Sequence, residues 1–134
     1  MRNGEGAAWR ECHALVLRVY GATQGFPKQE LYGLTAQARR AAFSAAANIV
    51  EGSAKRGSAE FRRFLDISLG SLSELGYTLR LSRELGCLNE ESWNTLSQLH
   101  HRARFLTWKL YESVSKVGHR PPPPLPALHR LSPP

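Results

Sequence analysis

The residues best placed to do chemistry fall on one stripe. Gln37, Arg40, Ser44, Asn48, Glu51 and Lys55 follow one another at steps of three or four, so in a helix their side chains share a face. The next segment offers Glu60, Ser71, Glu74 and Thr78. Arg40, Asn48, Glu51 and Glu74 would bind and polarise a small substrate if they lined a pocket. If instead Arg40 pairs with Glu74, and Asn48 or Glu51 bonds across a helix interface, the same groups set helix register and perform no reaction. A structural network or a solvated face is the expectation.

Other catalytic signatures are missing. No Glu-x-x-His pair, phosphate-binding glycine loop, Gly-x-Ser-x-Gly elbow or Arg-to-His pairing of the helical-nuclease type occurs. The histidines, His13, His100, His101, His119 and His129, are scattered or adjacent, and they are expected to be exposed and polar. Cys12 and Cys87 match no metal or redox spacing. A reduced cytoplasmic setting is the simplest reading, and no apolar run nears the roughly 18 residues that a membrane-spanning helix needs. The sequence is read as non-enzymatic, with no cofactor and no metal.

Charge carries the positive signal. The formal net charge of +7 rests on 18 Lys+Arg against 11 Asp+Glu. The excess sits in residues 34–57 (+3), in residues 100–117 (+3) and in the tail (+2), while residues 86–99 carry −2. An anionic partner, RNA or DNA, and a merely soluble basic surface both fit this balance. Candidate phosphate contacts are Arg39, Lys55, Arg56, Arg62, Arg63, Arg102, Arg104 and Lys109. If the two basic segments are antiparallel neighbours, they form one basic surface.

The elements that must position these residues read as four helices. Pro is absent from Lys28 to Arg120, and seven of the eight prolines lie at or after Pro121. A first helix is predicted from about Ala7 to Thr23, with Cys12, Leu15, Val16, Val19 and Tyr20 on its apolar stripe. Gly25-Phe26-Pro27 stops it. Thr35 is a candidate cap for an Ala-rich second helix that ends near Gly52. Ser58 is a candidate cap for a third helix with a stripe from Phe61 and Phe64 through Ile67 and Leu79 to Leu85, stopped by Gly86. Close backbone packing is expected to compensate for Gly70 and Gly76 inside it, with a local kink as the alternative. Asn89 caps a fourth helix, with Glu90 and Glu91 at its positive end, Lys116 near its negative end and Gly118 as its stop. Trp93, Trp108 and Tyr111 fit either the core or a subunit contact. This pattern specifies an all-α antiparallel up-down four-helix bundle over residues 1–118, followed by a Pro-rich extended tail over 119–134.

From Phe26 to Gly86 the chain resembles the bacterial four-helix family encoded in 23S ribosomal RNA intervening sequences. The resemblance is carried by Phe26-Pro27-Lys28-Gln29-Glu30-Leu31-Tyr32-Gly33-Leu34, by Gln37 with Arg39-Arg40-Ala41-Ala42, and by Asn48-Ile49-Val50-Glu51-Gly52. Phe61-Arg62-Arg63-Phe64-Leu65, Leu69-Gly70-Ser71 with Glu74, and Glu84-Leu85-Gly86 complete it. Gly76 and the Pro-rich tail depart from the family pattern. The resemblance implies a homopentameric ring. It also implies similarity to the accessory variability determinant of diversity-generating retroelements, a basic oligomer that binds nucleic acid and a reverse transcriptase. The expected function is therefore an oligomeric accessory protein of that kind; the alternative is a scaffold that acts through protein contacts alone.

Overall fold

The computed structural model describes residues 4–117, with side chains over residues 4–114. The tail at 119–134, the Gly118 stop and the Lys116 side chain lie outside the described residues. Four helices follow in order: α1 (Glu5–Thr23), α2 (Ala36–Ser53), α3 (Ser58–Glu84) and α4 (Glu90–Val117). Each packs on the next, and α4 closes against α1, which makes the antiparallel bundle that four stripes and short links call for. No described helix is long and apolar enough to cross a membrane.

Each helix buries one stripe. Cys12, Leu15 and Val19 enter the core from α1, and Leu96, Ala103, Leu110 and Tyr111 enter from α4. Between α2 and α3 the faces are unequal. The alanines at 38, 41, 42 and 45 are buried on α2 against Phe61, Leu65, Leu69, Leu72 and Leu75 on α3. Small side chains let the two backbones approach, and the buried Ser68 hydroxyl donates to the Ala45 carbonyl at 2.7 Å. At Gly52 the approach is closest: a Cβ there would stand 2.7 Å from Phe64 Cβ and 2.9 Å from Phe61 Cδ1. Only glycine fits.

Several element ends differ from the sequence reading. Thr35 is already helical and makes no capping bond. The Glu30 carboxylate accepts from the Leu34 N–H at 3.2 Å instead, within a wide turn over Leu31–Thr35 that is broken at Gly33. Ser58 is the first residue of α3, and extended Gly57 precedes it as the cap. Gly86 and Asn89 do what was expected. Gly86 takes φ +83°, Gly86 N–H donates to the Arg83 carbonyl and Cys87 N–H to the Ser82 carbonyl at 2.8 Å, the double bond pattern of a left-handed helix stop. The Asn89 side-chain oxygen accepts from Ser92 N–H at 2.7 Å. Gly70 is a correction: a Cβ there would meet nothing within 4 Å, so close packing does not explain it. Tyr20, Ile67 and Leu85, assigned by spacing to buried stripes, are exposed; Leu85 lies past the end of α3 as its cap residue.

Candidate functional site

The polar stripe of α2 becomes a seam along the outer edge of its junction with α3. Arg40 pairs with Glu74 across the junction and donates to Gln37 Oε1 at 2.8 Å. One turn on, the Ser44 and Ser71 hydroxyls bond at 2.7 Å. Asn48 Nδ2 donates back to the Ser44 carbonyl at 2.8 Å and to its hydroxyl at 3.1 Å, and the Thr78 hydroxyl donates to the Glu74 carbonyl. The seam is thus closed on itself. Glu51 is exposed and takes no part in these bonds. The groups hold α2 and α3 in register, which is what their chemistry does when partners are internal.

The same two helices also expose large apolar side chains; spacing assigns Ile67 to the buried stripe of α3 and does not single out Phe43, Val50 or Tyr77. Phe43 is 62% exposed and Val50 53% on α2; Ile67 is 41% and Tyr77 64% on α3. Phe43 and Val50 are seven apart, two helical turns, and they stand on the side of α2 away from the buried alanines. Ile67 and Tyr77 flank Gly70 and Glu74 on the outer side of α3. The one sequence signal for this surface was that α2 carries large apolar residues off its alanine face.

The eight basic candidates do not form one surface. The basic segments belong to α2 and α4, which lie across the diagonal of the bundle and not side by side. Arg39 is half-buried, donates to the Thr23 hydroxyl at 2.9 Å and lies over the Tyr20 ring. Arg102 pairs with Glu11 at 3.1 Å. Arg104 is half-buried, and that burial draws its pKa down from the ordinary arginine value. Lys109 is exposed on α4. Only Lys55, Arg56, Arg62 and Arg63 come together, around the turn between α2 and α3. There Lys55 Nζ and the Arg63 guanidinium stand 5.3 and 4.8 Å from the centre of the Phe64 ring. Arg63 also meets Glu60 at 3.2 Å, and that hydrogen bond and charge hold the Glu60 carboxyl below its usual range. Burial pushes the Asp66 carboxyl up, and the nearby Arg62 charge opposes it.

Two expectations about single residues need correction or completion. His100 is not an exposed polar histidine: it is 2% exposed, and its Nε2 stands 2.6 Å from the Leu72 carbonyl on α3. Burial lowers its pKa more than that bond raises it, so the neutral ring donates through Nε2–H. Of the aromatic residues left open, Tyr111 is fully buried and Trp108 stacks on it at 5.3 Å; Trp93 is half-buried beneath Arg83 at 4.9 Å. Cys12 and Cys87 are free thiols. Burial raises the Cys12 pKa to about 11, which removes it as a nucleophile at neutral pH. Among the described residues no group of three or more His, Cys, Asp or Glu could hold a metal ion.

The comparisons with known proteins agree with this architecture. A crystal structure of a protein of unknown function from the S23 ribosomal protein family of Bacteroides thetaiotaomicron VPI-5482 superposes with a TM-score of 0.74 at 18% identity, covering 81% of this chain and 97% of that one. At that identity the likeness speaks for the fold. No curated protein matches the chain. The family described as 23S rRNA-intervening sequence protein matches residues 5–107, which includes α1, α2 and α3 and most of α4. The chain belongs to the 23S rRNA-intervening sequence protein family.

Proposed function

We propose that this protein is a non-enzymatic scaffold that assembles with copies of itself through the outer face of α2 and α3. The observation that carries the reading is that both helices expose large apolar side chains, Phe43 and Val50 on α2 and Ile67 and Tyr77 on α3. Large apolar side chains left in solvent on neighbouring helices mark candidate contact surfaces. A second copy suits this surface because the Arg40–Glu74 pair cancels its own charge, so two copies can meet there without like-charge repulsion from it. The family resemblance implies a ring of five. Native mass spectrometry of the full chain tests both statements: a homo-oligomer is expected, five protomers if the ring is right, and Phe43→Asp yields monomer with unchanged helical circular dichroism. A wild-type chain that stays monomeric at micromolar concentration ends the proposal.

A second reading, nucleic-acid binding, is favoured by one observation: Lys55, Arg56, Arg62 and Arg63 gather around the α2–α3 turn. Sequence-independent phosphate contact is what such a cluster supports. With four contacts, affinity for single strands falls with salt at a log–log slope of roughly −3. Anisotropy titrations with RNA and DNA at several salt concentrations measure this, and a flat or absent response argues for the scaffold alone. The reverse-transcriptase partnership implied by the resemblance belongs to this second reading, and the location of the gene beside a reverse transcriptase and a variable repeat decides it.

A further inference from the structure

We propose that the groove between α3 and α4 is a binding site for a small ring-bearing anion of the nucleoside monophosphate class. The groove encloses about 480 Å³, within the range of small-molecule sites, and it lies away from both the α2–α3 face and the basic turn. On α3 the wall is built by Gly76, Leu79, Arg80, Arg83 and Glu84, at helical spacing on one face; Glu84 is the one carboxylate of the wall, and it is held by Arg80. On α4 it is built by Trp93, Ser97 and His100, again one face.

Three features make this more than a gap in packing. Gly76, the residue that departs from the family pattern, leaves the wall without a side chain at a helix position where glycine is disfavoured. The Ser97 hydroxyl is buried and has no hydrogen-bond partner among the described residues, an unmet capacity that a bound molecule satisfies. Arg83 stands over the Trp93 ring at 4.9 Å, and Arg80 lies one turn before it.

The chemistry of the walls sets the ligand class. Leu79 and Trp93 offer apolar surface to a flat ring. Ser97 offers a hydroxyl to a ring or sugar edge. The two guanidinium groups offer forked donors to a phosphate. Both arginines now hold carboxylates, Arg80 with Glu84 at 3.2 Å and Arg83 with Glu90 at 3.2 Å. These are exposed pairs, which hold weakly, and a dianionic phosphate exchanges with them. His100 keeps its Nε2 on Leu72, so the ring is held in place and does not swing in to fill the space.

The test is a titration of the full-length protein with adenosine monophosphate, adenosine and inorganic phosphate in separate arms, read by nuclear magnetic resonance shifts. The nucleotide is expected to move the Trp93 indole and the Ser97 amide. Adenosine and inorganic phosphate are expected to bind at least tenfold more weakly, because each lacks one half of the match. Arg80→Gln and Arg83→Gln each weaken the nucleotide about tenfold. Gly76→Leu fills the groove and abolishes binding; Ser97→Ala, which removes only a hydroxyl, weakens binding even if the leucine variant does not fold. Shifts confined to Lys55, Arg56, Arg62 and Arg63, no shifts at millimolar nucleotide, or arginine variants that bind like wild type would each overturn the site.

Discussion

Single residues in this protein act through the room around them. Gly52 and Gly70 both sit within helices, yet a methyl group at Gly52 would strike Phe61 and Phe64, while one at Gly70 meets nothing. Gly52→Ala is expected to lose about 1–3 kcal/mol to overpacking, less the part that alanine regains in helix propensity. Gly70→Ala is expected to gain up to about 1 kcal/mol in the monomer. Urea unfolding of the two variants checks the opposite signs. His100 links a single ring to pH. Its folded pKa is held below the ordinary value of 6.5, first by burial, and also by the charges of Arg104 and His101, against the Leu72 hydrogen bond. The unfolded chain therefore binds a proton that the folded chain refuses, and stability falls as pH drops through about 6.5. Urea midpoints at pH 7.5 and 5.5 are expected to fall with pH, and the drop shrinks in His100→Gln.

At the scale of elements, the link between α3 and α4 is the best specified. Gly86 carries the positive φ that ends α3, and three residues later Asn89 caps the start of α4. Gly86→Ala is expected to cost about 1 kcal/mol or more, because a Cβ is disfavoured in the left-handed region; a lowered melting temperature with unchanged helical content checks it. The α2–α3 pair is held differently. Its seam is a set of side chains bonded to one another, Arg40 to Glu74 and Ser44 to Ser71, laid over an alanine contact that supplies closeness and little buried area. The half-exposed Arg40–Glu74 pair contributes modestly by itself. Its main effect is to fix the register of the two helices.

For the whole molecule, stability and assembly draw on different faces. Phe43 is not part of the core cluster, so Phe43→Asp is expected to change monomer unfolding by no more than about 0.5 kcal/mol while it removes self-association. Sedimentation velocity beside urea unfolding separates the two effects; a large loss of stability in this variant would mean that Phe43 supports the fold and not a contact. Basic charge is likewise divided at this scale. One cluster gathers at the α2–α3 turn, while Arg102, Arg104 and Lys109 belong to α4 on the far diagonal of the bundle.

How much of this was legible beforehand follows from what a sequence encodes. Spacing states the angle of a side chain around its own helix, and local chemistry states where a helix stops. The four helices, the Gly86 stop, the Asn89 cap and the shared face of Arg40, Ser44 and Asn48 are all facts of that kind. Which neighbour covers a given angle depends on how the helices are arranged around the core. That arrangement set α2 and α4 on a diagonal, so the two basic segments never meet. It laid α3 against His100, which turned a polar residue into a buried, neutral one. It closed Gly52 tightly against two phenylalanines and left Gly70 open, though both are glycines in helices. The α3–α4 groove belongs to the same class: spacing puts Gly76 and Arg83 on one face of α3, but only the packing of two helices brings Ser97 of α4 to the same space.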